Sequence, residues 1–199
     1  MTTTVGIKAR DGVVLATDRR VTAGYYIAHK RGEKIWKIDE HVAATMSGGV
    51  ADLQGLLNTL TILARDYKIE HRRPIPVRTL VNYASLLLFY SRPMIYIVHS
   101  IFGGFDDEGP QLYMLDWLGS YSEERYISTG SGSPYAMGVL EVGYRDDISI
   151  DEAVKLAENA VKAAMRNDPG SGEGIDVVVI TKEGFRRVIS AQQRVVVAE

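Results

Sequence analysis

Apolar and polar residues alternate from Thr4 to Thr17. Val5, Ile7 and Ala9 fall on one side, Gly6, Lys8 and Arg10 on the other, and Asp11-Gly12 interrupts them. A period of two marks a strand, and Asp-Gly tolerates the positive φ angles of a tight turn, so this stretch predicts a hairpin. Lys34–Ile38 and Val42–Met46, joined by Asp39-Glu40, predict a second strand pair that ends at Gly48-Gly49. From Ala51 the period lengthens: Leu53, Leu56, Leu57, Leu60, Leu63, Ala64 and Tyr67 form one helical stripe. After Arg73-Pro74-Ile75-Pro76 a second stripe runs through Leu80, Tyr83, Ala84, Leu87 and Leu88 until Pro93 stops it.

Strands are then expected over Ile95–Phe102, Gln111–Asp116 and Arg125–Ser128, with the turn-rich stretch Gly103–Pro110 between the first two. Tyr135, Ala136, Val139, Leu140 and Val142 predict a third helix ending near Gly143. Ser149-Ile150-Asp151-Glu152 has capping-box spacing, and Ala153, Val154, Ala157, Val161 and Ala164 continue a fourth. Asp176–Thr181 and Phe185–Ile189 form a last hairpin around Glu183-Gly184, and the tail Gln192–Glu199 is expected to be loose. Strands, two helices, strands, two helices, strands: such blocks imply antiparallel sheets with helices packed outside them, an α+β layered domain.

Composition narrows the function. A chain of 199 residues, 46% hydrophobic, fits one domain spanning 1–199. A net charge of −2 offers no basic field for nucleic acid. No run approaches the roughly 20 apolar residues of a membrane span, and no secretory signal pattern is visible at the start, so a cytoplasmic location is expected. The absence of cysteine removes thiol catalysis and thiolate metal sites. His29, His41, His71 and His99 lack metal-ligand spacing, and neither a nucleophile elbow nor a phosphate loop occurs, so no metal or cofactor is expected.

What remains is Thr2-Thr3-Thr4. A threonine hydroxyl is a weak nucleophile unless a base adjoins it, and a free α-amine on the same residue, with a pKa near 8, can be that base. Read alone, the triplet is more often the start of a strand.

Six segments in order alter that balance: Thr2-Thr3-Thr4-Val5-Gly6, Ala16-Thr17-Asp18-Arg19-Arg20, Lys34-Ile35-Trp36-Lys37-Ile38, Ser47-Gly48-Gly49, Thr129-Gly130-Ser131-Gly132-Ser133 and Ile175-Asp176-Val177-Val178. Together they resemble the proteasome β-subunit family, in its archaeal rather than its shorter bacterial form. The resemblance implies a four-layer αββα sandwich, the N-terminal-nucleophile hydrolase fold. It implies Thr2 as nucleophile, Asp18 as the acid that orients a lysine and keeps it charged, and Lys34 as that lysine. Gly48, at the start of the first helix, would supply an oxyanion-binding N–H. Ser131, Asp168 and Ser171 would support the threonine amine and hydroxyl. Thr22 would pair with substrate backbone, and Val21, Met46 and Val50 would line an apolar pocket, favouring cleavage after hydrophobic residues. The implied partners are other β subunits in stacked seven-membered rings, α subunits, a regulatory ATPase cap and unfolded protein substrates.

The α-amine belongs to Thr2 only after Met1 is gone. Family members commonly remove a propeptide autocatalytically, as zymogens; here the residue before Thr2 is Met1, expected to be trimmed. Two rivals stand beside the protease: a catalytically silent structural β subunit of the same particle, and a non-proteolytic amidohydrolase with the same nucleophile chemistry.

Overall fold

In a computed structural model, residues 1–192 are described. The first hairpin forms as the alternation predicts, with β1 (Thr4–Ala9) and β2 (Gly12–Asp18) paired from Thr4↔Thr17 to Ala9↔Gly12. Both of its faces are buried, however. Val14 and Ala16 of β2 join one core cluster while Val13 and Leu15 join another, so the two parities of one strand serve two layers.

The short strands β3 (Val21–Ala23) and β4 (Tyr26–His29) form a separate hairpin that no pattern announced. β5 (Ile35–Asp39) and β6 (Val42–Thr45) are the expected second pair, and β7 (Ser47–Gly48) follows. Two helices come next, α1 (Val50–His71) and α2 (Val77–Tyr90). Beyond them lie β8 (Val98–Asp106), β9 (Gly109–Leu115), β10 (Tyr121–Glu123) and β11 (Tyr126–Thr129). The helices α3 (Ser133–Gly143) and α4 (Ile150–Asn167) and the strands β12 (Gly174–Thr181) and β13 (Gly184–Gln192) complete the described chain. Gln192 closes β13, and the remainder of the tail expected to be loose, 193–199, lies outside the described residues.

The order β11-β1-β2-β12-β13 makes one antiparallel sheet and β10-β9-β8-β6-β5 the other, with β7 hydrogen-bonded to β8. Ala136, Leu140, Ala157, Ala160 and Val161 of α3 and α4 pack on Val5, Ile7, Val14 and Val177 of the first sheet. Leu53, Leu57, Leu60, Leu80 and Ala84 of α1 and α2 pack on Val42, Ala44, Phe102 and Leu115 of the second. Between the sheets lie Val13, Leu15, Ile101, Leu112, Val178 and Ile180. The result is the four-layer αββα sandwich, and α4 carries the capping box read from Ser149 and Glu152. No helix among the described residues is long and apolar enough to cross a membrane.

One prediction fails instructively. Gly103 to Pro110 is no continuous turn: β8 runs on to Asp106 and β9 starts at Gly109. Gly103 and Gly104 are glycines for lack of room. A Cβ on Gly103 would stand 2.7 Å from Val13 Cγ1, and one on Gly104 2.9 Å from the His41 carbonyl oxygen. Conversely, Ile95 to Ile97 lie before the strand.

Candidate active site at the start of the chain

Thr2 and Thr3 precede β1 and sit where that strand, the end of β2 and the end of β11 meet. Both are buried despite their polarity. Thr4 pairs with Thr17 on one side and Thr129 on the other, which points the residues before it toward the loops that follow β2 and β11. Asp18 ends β2, so the hairpin register itself brings its carboxylate to Thr2.

That carboxylate is fully buried and accepts five hydrogen bonds. Oδ1 takes the Thr2 hydroxyl at 2.9 Å, the Thr3 N–H at 2.9 Å and Lys34 Nζ at 2.6 Å. Oδ2 takes the N–H of Arg20 at 2.9 Å and of Gly172 at 3.0 Å. Lys34, immediately before β5, also donates to Thr2 Oγ1. The hydroxyl oxygen is thus held between a cation that donates to it and a carboxylate that accepts from it.

Burial pushes the Lys34 ammonium below its ordinary range, more than the charge and hydrogen bond of Asp18 raise it; Asp168 adds a weaker upward pull and Arg20 a downward one. The expectation that Asp18 keeps Lys34 charged therefore describes only half of the balance. A lysine of lowered pKa releases its proton more readily than an exposed one, which suits it to proton traffic at this oxygen.

On the other side of Thr2, its N–H donates to Ser131 Oγ at 3.1 Å, and Ser131 donates to Asp168 Oδ2 at 2.7 Å. Ser171 donates to the same oxygen at 2.7 Å, so the 2.6 Å contact between Thr3 Oγ1 and Ser171 Oγ has Thr3 as donor. Asp168 caps the C-terminus of α4 and Ser131 lies just before α3. The helix layer thereby reaches the chain start through two hydroxyls. Of the seven residues expected to handle the chemistry, six, Thr2, Asp18, Lys34, Ser131, Asp168 and Ser171, lie in one hydrogen-bonded network; Gly48 stands outside it.

Three features of the network were not read from the sequence. Thr3 is a member in its own right. Gly130, at φ 92, would drive a Cβ into the Thr2 carbonyl, and a Cβ on Gly132 would overlap Thr3 Oγ1. The Gly-Ser-Gly spacing of 130–132 was their signal, because neither the backbone of Thr2 at Gly130 nor the Thr3 side chain at Gly132 leaves room for a Cβ.

Thr2 and Lys34 open onto a cavity of about 870 Å³ whose wall includes Val21, Thr22, Met46, Gly48 and Val50. Its size suits a peptide side chain with flanking backbone. The expectation of an apolar pocket holds only in part, because Lys30, Arg31 and Glu33 share the lining. Gly48 does not start the helix: it belongs to β7, opposite Val98, and α1 begins at Val50 with Gly49 as its cap. Its φ of 126 and its closeness to the Ile97 carbonyl explain the glycine. No side chain caps the first turn of α1, whose positive end lies at the cavity wall. The Met1 ammonium donates to Thr22 Oγ1 at 3.1 Å inside this cavity.

The sequence matches the family described as "Proteasome subunit" over residues 1–180. It is 76% identical to "Proteasome subunit beta 1" of Pyrobaculum neutrophilum and 74% identical to "Proteasome subunit beta 2" of Pyrobaculum islandicum, each alignment covering 100% of both chains. It is 43% identical to "Proteasome subunit beta 2" of Nitrosopumilus maritimus over 98% of this chain and 93% of that one.

Proposed function

The chain belongs to the archaeal proteasome β-subunit family, and from that premise we propose that it is a threonine endopeptidase whose nucleophile is Thr2 and whose base is the Thr2 α-amine. The observation that carries this reading is the convergence of Lys34 and Asp18 on Thr2 Oγ1 while Ser131 holds Thr2 N. Such a hydroxyl needs only an adjacent neutral amine to become a nucleophile.

In the mature chain the amine takes the hydroxyl proton as Oγ1 bonds to the substrate carbonyl carbon. The charge developing on the carbonyl oxygen is met by the Gly48 N–H and the start of α1. The ammonium then gives its proton to the leaving nitrogen as the peptide bond breaks, which leaves an ester on Thr2. Water, deprotonated by the same amine, attacks that ester, and Oγ1 recovers a proton as the acid product departs. Lys34 stabilises the oxygen throughout, and Asp18 fixes Lys34.

While Met1 remains, Thr2 N is an amide and the base is missing. The Met1 amine also donates to Thr22 Oγ1, on the residue expected to pair with substrate backbone. The chain bearing Met1 is therefore the silent form, and loss of that residue, by trimming or self-cleavage, is the activating step. Substrate side chains enter between Val21, Met46 and Val50, with preference for apolar residues before the scissile bond. The working form is a cytoplasmic particle of stacked seven-membered β rings with α rings and an ATPase cap, acting on unfolded proteins.

Intact mass of the assembled protein, together with hydrolysis of a fluorogenic peptide bearing a hydrophobic residue before the reporter, tests the proposal. Loss of Met1, hydrolysis, and abolition by Thr2→Ala are the expected results. A complete particle that has lost Met1 and hydrolyses nothing would make the chain a structural subunit instead.

A further inference from the structure

The loop between α4 and β12, residues 168–173, delivers three groups to the site: Asp168, Ser171 and the Gly172 N–H. It is rich in glycine, with Gly170 and Gly172 inside and Gly174 beginning β12, so its course depends on its contacts: Ser171 N–H donates to the Asp168 carbonyl at 3.1 Å and Arg19 N–H to the Gly172 carbonyl at 3.0 Å. The Arg20 side chain, just past Asp18, spans it. Nη1 donates to the Pro169 carbonyl at 2.8 Å and Nη2 to Glu173 Oε1 at 3.1 Å, one contact near each end. The guanidinium lies so close over Gly172 that a Cβ there would stand 2.5 Å from Nη2 and 2.9 Å from Nε.

Glu173 adopts φ 69, a conformation unfavourable for any residue with a side chain. Glycine stands on both sides of it and would be relaxed at this φ, yet position 173 holds a glutamate whose carboxylate meets Arg20 in a sheltered ion pair. The strain is tolerated for what the carboxylate does, and what it does is hold Arg20 across the loop.

We propose that Arg20 and Glu173 are positioning residues that set the orientation of the Asp18 carboxylate, and through it the placement of Lys34 and the Thr2 hydroxyl. The chain of contacts is short. Asp18 Oδ2 is fixed by two N–H groups, that of Arg20 itself and that of Gly172 in the clamped loop. With Oδ2 pinned, Oδ1 is turned toward Lys34 and Thr2. If the clamp opens, Gly172 leaves Oδ2, the carboxylate gains freedom to rotate, and Ser171 and Asp168 drift from Thr3 and Ser131. Neither Arg20 nor Glu173 touches the reacting atoms, and both act through Asp18.

This inference rests on the protease reading, and its test separates the two. Glu173→Gly removes the carboxylate while relieving the left-handed strain, so it should fold; Arg20→Met removes the other half of the pair. In the mature particle each is expected to lower kcat by about ten- to a hundredfold, the scale of a small misplacement of catalytic groups. KM should change less than about twofold, because neither residue lines the cavity. Arg20→Lys should recover only part of kcat, since an ammonium cannot hold both ends of the loop. The double variant should be no worse than the poorer single one. Independently of activity, hydrogen exchange in a peptide covering residues 168–174 should quicken in both variants placed in a Thr2→Ala background. Unchanged kcat in Glu173→Gly, or unchanged exchange in that peptide, would overturn the proposal. A parent particle that hydrolyses nothing would refute the protease reading and leave the exchange measurement to decide the clamp alone.

Discussion

Replacing Asp18 by Asn tests the balance on which the site depends. Five donors converge on the Asp18 carboxylate, three on Oδ1 and two on Oδ2. Asn keeps the shape but can accept at one oxygen only, so its NH2 must face donors on the other side, leaving at least one buried N–H unpaired. Breaking the buried pair with Lys34 in this way should cost about 3–5 kcal/mol near neutral pH. The cost should also depend on pH. The folded-state pKa of Lys34 already lies below the ordinary 10.5 because of burial, and Asp18 is the largest influence raising it. Between the folded and unfolded values the unfolded chain binds more protons, so stability rises with pH, by at most about 1.4 kcal/mol per unit. Removing the charge of Asp18 lowers the folded value further and opens that window at lower pH. Thermal or denaturant unfolding of both forms from about pH 6 to about pH 10 should therefore show the deficit of Asp18→Asn shrinking as the pH climbs. Peptide hydrolysis should fall by about a hundredfold or more, the range of general acid–base contributions. A deficit that stays constant over that pH range would refute the claim that burial and Asp18 oppose each other at Lys34.

Three further outcomes are expected. Gly130→Ala, at φ 92 against the Thr2 carbonyl, should displace the chain start and depress hydrolysis more than it depresses the unfolding midpoint, both being measurable on one preparation. Gly103→Val should weaken the sandwich by about 1–3 kcal/mol or more, because its side chain meets Val13 and Leu15 between the sheets; denaturant unfolding reads the change. Ser149→Ala should lower the unfolding midpoint by removing the cap of α4. Hydrogen bonds from Ser149 hold Glu152 down to about 2 from 4.5. Its contribution is thus fully present above about pH 4.5 and lost as the pH falls toward about 2, and in Ser149→Ala that acid dependence should shrink without vanishing, because the N–H of residue 149 and Arg145 still meet the Glu152 carboxylate.

How much of this could be read in advance followed the range of the interactions. The capping box at Ser149 and Glu152 is decided within a few residues and stands in the fold as it stood in the sequence, whereas the first turn is Arg10-Asp11, one residue before the expected Asp11-Gly12: Gly12 already opens β2 opposite Ala9, and neither Asp11 nor Gly12 takes a positive φ. Gly103 and Gly104 read as turn residues because the reason for them, Val13 and the His41 carbonyl, lies far away in the chain. The hairpin of β3 and β4 carries the exposed Tyr26 and Ile27, with the exposed Tyr25 at its turn, and without a buried face it left no alternation to detect. In the site, Thr2, Asp18 and Lys34 were legible only as an ensemble of segments resembling a family; each alone passes for an ordinary strand or surface residue. Arg20 and Glu173 were not legible at all, because their role is expressed in a backbone angle and in contacts across more than a hundred residues.

The same geometry explains why the proposed nucleophile sits at the beginning of a strand and not in a mobile arm. Thr4 is locked between Thr17 and Thr129 by strand pairing on both sides, so Thr3 and Thr2 inherit a fixed direction from an interior strand of a five-stranded sheet. Two supports then act on Thr2 from opposite sides. Asp18 and Lys34 reach the hydroxyl from the β2 and β5 ends, and Ser131, backed by Asp168, reaches the nitrogen from the helix layer. The hydroxyl and the nitrogen need different partners, and a residue within a strand could not offer its nitrogen as a free base. Only the first residue of a chain, held as firmly as an interior one, meets both demands. Met1 is the obstacle to that condition: while it is present the supports are in place, but the nitrogen they hold is an amide.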